Sequence, residues 1–85
     1  MSNDYMHYPT TVKMLAGEIK TICDDYEKRK IDNIELEKMI LWYAEKQADK
    51  FYSDEEINPT ISKIIGQKRI NLIKVLLAKE NGGVN

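Results

Sequence analysis

Eighty-five residues, 42% hydrophobic and 32% charged, make one globular domain near the lower limit of independent folding and exclude a disordered chain. A formal net charge of −1 neither favours nor excludes a class of partner by itself. A single cysteine, Cys23, excludes an intrachain disulfide, and with His7 as the sole histidine a Cys/His zinc site is excluded too.

In a chain of this size, apolar burial at about 25 cal/mol per Å² roughly cancels the entropy of ordering. With disulfides and metals removed, self-association is the remaining source of stability, so a homo-oligomer is expected, a dimer before larger forms. No stretch approaches the roughly eighteen apolar residues of a membrane span. The N-terminal MSNDYMHYP has neither a basic nor an apolar leader region. The expectation is a cytoplasmic protein that neither spans a membrane nor is secreted, and the lone thiol fits a reducing compartment.

Residues 1–9 read as a flexible polar arm, with Tyr5, Met6 and Tyr8 able to pack on the body. The first helix should start at a Thr10 or Thr11 cap. Val12, Leu15, Ile19, Ile22 and Tyr26 follow at spacings of three and four, forming an apolar stripe that Met14, Ala16 and Cys23 widen. Glu27-Lys28-Arg29-Lys30 ends it with cations that suit the negative end of the helix dipole. Asp32 with Glu35 is a capping-box arrangement, and Ile31 with Leu36 is placed as a hydrophobic staple. The second helix is expected from Asn33 to about Tyr52, with Leu36, Met39, Ile40, Tyr43, Ala44 and Phe51 on its main face, hairpinned against the first.

Ser53-Asp54-Glu55-Glu56 reads as a turn, and Asn58-Pro59 as a cap followed by proline at the first helical position. From Thr60 to Glu80 two readings stand: one continuous helix, or two helices broken at Gly66. Asn81-Gly82-Gly83 is a stop, so residues 10–80 form the helical domain and 81–85 a disordered tail. No strand is expected, and the fold class is all-α, a compact bundle of three or four helices.

No catalytic constellation emerges, and no cofactor is expected. His7 lies in the arm without an orienting carboxylate, and Cys23 lies on an apolar stripe where cysteine acts as a small hydrophobe. Asp24, Asp25 and Glu27 lack the alternating spacing of a calcium loop. Binding is better supported. Lys63, Lys68, Arg69, Lys74 and Lys79 form a stretch of cations that meets no acid until Glu80. If the chain breaks at Gly66, residues 59–79 take the form of a helix-turn-helix, with Ile61 and Ile65 packing before the turn and Leu72 and Val75 after it. Its second helix would present Gln67, Lys68, Arg69, Asn71 and Lys74, with Lys63 ahead of the turn. Lysine and arginine would hold phosphates while Gln67 and Asn71 reach base edges. Gln67 departs from the usual pattern, which has an apolar residue directly after the glycine. A plain third bundle helix with a solvated basic face is the competing reading.

A second signal is surplus apolar surface. Leu41 and Trp42 lie off the main face of the second helix, and Ile70, Ile73 and Leu77 off one face of the last. Two stripes on one helix imply a protein interface or a cover supplied by the N-terminal arm.

The strings TTVKMLAGEIKTICDDYEKRKIDNIELEKMI and INPTISKIIGQKRINLIKVLL resemble a family of uncharacterised short helical proteins from anaerobic gram-positive bacteria, their plasmids and phages. The resemblance runs from about Thr10 to Leu77 and carries no activity or site residues. It implies an accessory gene of the sort found on mobile elements, which often encodes DNA-binding regulators, inhibitors or sequestering proteins. The sequence therefore leads to a non-catalytic, DNA-binding regulatory protein. The alternative is a protein-interaction or inhibitor module acting through Leu41, Trp42, Ile70, Ile73 and Leu77 on itself or a foreign partner.

Overall fold

In a computed structural model, the backbone is described for residues 5–82 and the side chains for residues 5–78. Helix α1 covers Val12–Glu27. It starts where expected, with the Thr11 hydroxyl accepting a hydrogen bond from the Met14 amide at 3.0 Å. Leu15, Ala16, Ile19, Ile22 and Cys23 form its buried face. It closes in a Schellman turn: the Arg29 amide donates to the Tyr26 carbonyl and the Lys30 amide to the Asp25 carbonyl. Arg29 takes the left-handed conformation that such turns usually give to glycine, with φ of 63°.

Helix α2 covers Asn33–Lys46, capped by the Asp32 carboxylate on the Glu35 amide at 2.9 Å. Ile31 and Leu36 are both buried on either side of that cap, as a staple requires. The helix ends earlier than expected. At Gln47 (φ −122°, ψ 35°) the helix is interrupted, and a short helix α3, Ala48–Phe51, follows. The break turns Phe51 fully into the core. A second departure follows. Tyr52–Ser53 (β1) and Glu56–Ile57 (β2) pair antiparallel, where no strand is expected from the sequence. Asp54 supplies the positive φ, 57°, that so tight a hairpin needs. Two residues per strand are too few to leave an alternating pattern.

Asn58 then caps helix α4, Pro59–Ile65, through its side chain on the Thr60 amide at 2.9 Å. Its own amide donates to the Phe51 carbonyl, tying the hairpin base to α3. The chain breaks at Gly66 (φ 92°, ψ 157°) before helix α5, Gln67–Gly82, so the two-helix reading holds. Backbone in that region is open essentially to glycine alone.

Helix α4 packs chiefly on α1, and α5 lies against α4 and α2. Leu15, Ile19, Ile22, Leu36, Ile40, Tyr43, Phe51, Ile61 and Ile73 are fully buried where these helices meet. The fold class is all-α, with the hairpin as a small addition. Helix α5 runs two residues past the expected stop, and residues 83–85 of the expected tail lie outside the described residues, as do 1–4 of the expected arm.

Candidate nucleic-acid interface

The break at Gly66 resets the rotational phase of α5. Ile70, Ile73 and Leu76 point into the core, while Leu72 is half-buried and Val75 is 62% exposed. This corrects two expectations. Ile70 and Ile73 are not interface residues, because they are 2% and 0% exposed. Leu72 and Val75 are not the main packing pair after the turn either.

With that phase, Gln67, Asn71 and Lys74 line up at helical spacing on the solvent face, flanked by Lys68. All four are exposed, as is Lys63 on α4. Gln67 donates its side-chain amide to the Asn71 carbonyl oxygen at 3.0 Å, so the two expected base readers hold one another in place. Between Ile57 and Ala78 the chain contains no aspartate or glutamate. Lys74 lies at the far end of this face, beside a groove that it shares with Glu55, Glu56 and Leu77.

Arg69 departs from the expected set. Its side chain folds back onto α1, where it donates to the carboxylates of Asp24 and, at 3.4 Å, Glu27. Burial opposes its charge, but Glu27 and Asp24 outweigh that and hold the guanidinium protonated above its ordinary range. The Nε is buried with no hydrogen-bond partner among the described residues. Arg69 is thus a fastener between α1 and α5 rather than a side chain facing a ligand. Cys23 is fully buried. Burial pushes its thiol up to about 11, with Arg69 opposing and Glu27 and Asp24 reinforcing, which leaves it a neutral core side chain.

The other expected patch, on α2, is covered by the chain itself. Residues 5–9 lie across α1 and α2 as a strap. The Tyr5 hydroxyl donates to Asp25 at 2.5 Å, the Tyr43 hydroxyl donates to the Met6 carbonyl, and the Trp42 indole donates to the His7 carbonyl at 3.0 Å. His7 and Tyr8 set their rings edge-on to Trp42, and Lys46 sits over it at 5.8 Å. Tyr5 and Pro9 are buried, while Leu41 and Trp42 are half-buried. Leu77, on α5, is half-buried as well. The strap brings its own exposed side chains, Met6 at 42% and Tyr8 at 65%, with Met14 of α1 at 40% nearby. The signal for it in the sequence is the apolar content of Tyr5-Met6-His7-Tyr8-Pro9, which a freely solvated arm would not need.

Among the described residues no three His, Cys, Asp or Glu side chains group as a metal site would require, and no helix is long and apolar enough to cross a membrane. Over residues 6–78 the chain matches a family model described as conserved hypothetical protein. No curated protein and no solved structure matches it.

Proposed function

The chain belongs to that family of conserved hypothetical proteins, and we propose that it is a small, non-catalytic DNA-binding regulatory protein that lays the exposed face of α5 against duplex DNA. One observation carries the reading. The sharp turn at Gly66 leaves Gln67, Lys68, Asn71 and Lys74 together on one solvent face, in a stretch of chain without acids. Lys68, Lys74 and Lys63 neutralise phosphates, and Gln67 and Asn71 reach base edges once their mutual hydrogen bond opens. We place the protein in the cytoplasm, acting as a dimer, with an accessory gene on a plasmid or phage as its setting.

The three lysines on phosphates contribute about −3 to the slope of log K against log salt. Binding to mixed-sequence duplex DNA is measured between about 50 and 200 mM salt, with mass by light scattering on the same sample. Lys68→Gln with Lys74→Gln should lower the magnitude of that slope by about two. No binding by the unaltered chain even at the lowest salt sinks the reading.

The exposed Met6, Tyr8 and Met14 favour a second reading, a protein-interaction or inhibitor module. Tyr8→Ser with Met14→Ser should then abolish self-association or partner capture in a chain that still folds, its melting temperature lowered only slightly by the loss of the Tyr8 ring from Trp42.

A further inference from the structure

We propose that the loop of residues 28–30 is a second phosphate-binding element, which grips the DNA backbone beside the first turn of α5; this rests on the DNA-binding reading above. The juxtaposition comes from Arg69. Its guanidinium is fastened to Asp24 and Glu27, so its side chain bridges from the first turn of α5 to the last turn of α1. Lys28, Arg29 and Lys30 follow Glu27 directly, and Lys68 directly precedes Arg69. One end of the molecule therefore collects four exposed cations from two separate parts of the chain.

Beyond complementing the negative end of the α1 dipole, the charges of the loop have no partner inside the described protein. None of the three side chains makes a hydrogen bond or an ion pair among the described residues, although acids are close by. Those acids are turned elsewhere. Asp24 and Glu27 take Arg69, Asp25 takes the Tyr5 hydroxyl, and Asp32 takes the Glu35 amide.

The loop backbone is also fixed in advance. Its three amides donate to Asp24, Tyr26 and Asp25 carbonyls at 2.9, 3.0 and 2.8 Å, so the cations project from a rigid turn. Arg29 occupies the left-handed position of that turn, where glycine would be easier. A cation at a strained and exposed position, with no hydrogen-bond or ion-pair partner among the described residues, has a side chain free for an external anion. The matching chemistry is a polyanion with regularly spaced charges. Duplex DNA carries one charge per roughly 1.7 Å of its axis, so a backbone held by Lys68 offers further phosphates to cations on the other side of the Arg69 bridge.

The test uses the full chain and mixed-sequence duplex DNA. Lys28→Gln, Arg29→Asn and Lys30→Gln are combined, since asparagine tolerates the left-handed backbone while removing the charge. The expected result is binding about ten-fold weaker at roughly 100 mM salt and a salt slope smaller in magnitude by up to about three, in a chain that stays folded and loses only the small dipole contribution of these cations to its melting temperature. The comparison variant is Lys13→Gln with Lys20→Gln, exposed cations elsewhere on α1, which should bind as the unaltered chain does. An unchanged slope in the triple variant overturns the inference, as does an equal loss per charge in the comparison variant. If Lys68→Gln with Lys74→Gln loses binding while the triple variant keeps it, only this inference falls. If the unaltered chain binds no DNA, both fall.

Discussion

Arg69 turns away from the solvent face of α5 and holds two carboxylates of α1, with its side chain 20% exposed. A half-desolvated pair of this kind contributes through the charges it would strand, more than through its own attraction. Arg69→Ala leaves Asp24 and Glu27 facing each other without a cation. The expected loss is about 1–2 kcal/mol, read as a melting temperature lower by roughly 5–10 °C. An unchanged melting temperature would show that α1 and α5 hold together without this ion pair. Arg29 gives the opposite sign. A non-glycine residue in the left-handed region carries about 1 kcal/mol of strain, part of which glycine returns as extra unfolded-state entropy. Arg29→Gly should therefore raise stability by roughly 0.5 kcal/mol, visible as a small increase in denaturation midpoint. A decrease would mean that the arginine side chain contributes a contact of its own.

At the scale of elements, the break at Gly66 is the feature on which the candidate surface depends. A Cβ at this position would meet no atom within 4 Å, so crowding does not select glycine here. The backbone conformation does. Gly66→Ala should cost about 1–3 kcal/mol through dihedral strain alone, measured by thermal or urea denaturation. It should also weaken DNA binding, because a relaxed turn no longer sets the phase of α5. A neutral Gly66→Ala would mean that the backbone conformation does not select glycine here.

The same position explains what was legible in the sequence. Caps carried the starts of α1, α2 and α4, because Thr11, Asp32 and Asn58 satisfy amides only a few residues away. The buried face of α5 was not legible. Ile70, Leu72, Ile73, Val75, Leu76 and Leu77 surround the helix, so periodicity cannot choose among faces, and the turn breaks continuity with Ile61 and Ile65. The inward turn of Arg69 was hidden for a related reason: its partners lie more than forty positions away, at Asp24 and Glu27. The interruption at Gln47 and the hairpin were likewise tertiary outcomes, set by the burial of Phe51 and the bond from Asn58. For the basic face, the sequence supplied the cations but not which of them solvent would see.

At the scale of the whole molecule, the folded chain holds three protons among its described residues more tightly than the unfolded chain does. Cys23, Tyr5 and Tyr43 are all buried, and all are harder to ionise than in the unfolded chain. Burial is the main cause for each, helped by Asp25 at Tyr5 and by Glu18 at Tyr43. Cys23 moves from an ordinary 9.0 up to about 11. Above pH 9 the unfolded chain therefore releases its thiol proton while the folded chain keeps it. The stabilisation is complete below pH 9 and is lost as pH rises towards 11. A rise of that size corresponds to about 2–3 kcal/mol, a large share of the stability expected of so small a domain. The tyrosines add to the loss from about pH 10 upwards, the ordinary range of their hydroxyls. Melting temperature should stay level from pH 7 to 8.5 and fall steadily above 9. Cys23→Ala removes the first group to titrate, so its decline should begin about one pH unit later, whatever the cavity costs at neutral pH. If that variant follows the unaltered chain through pH 9 and 10, the thiol is not the proton that the fold protects.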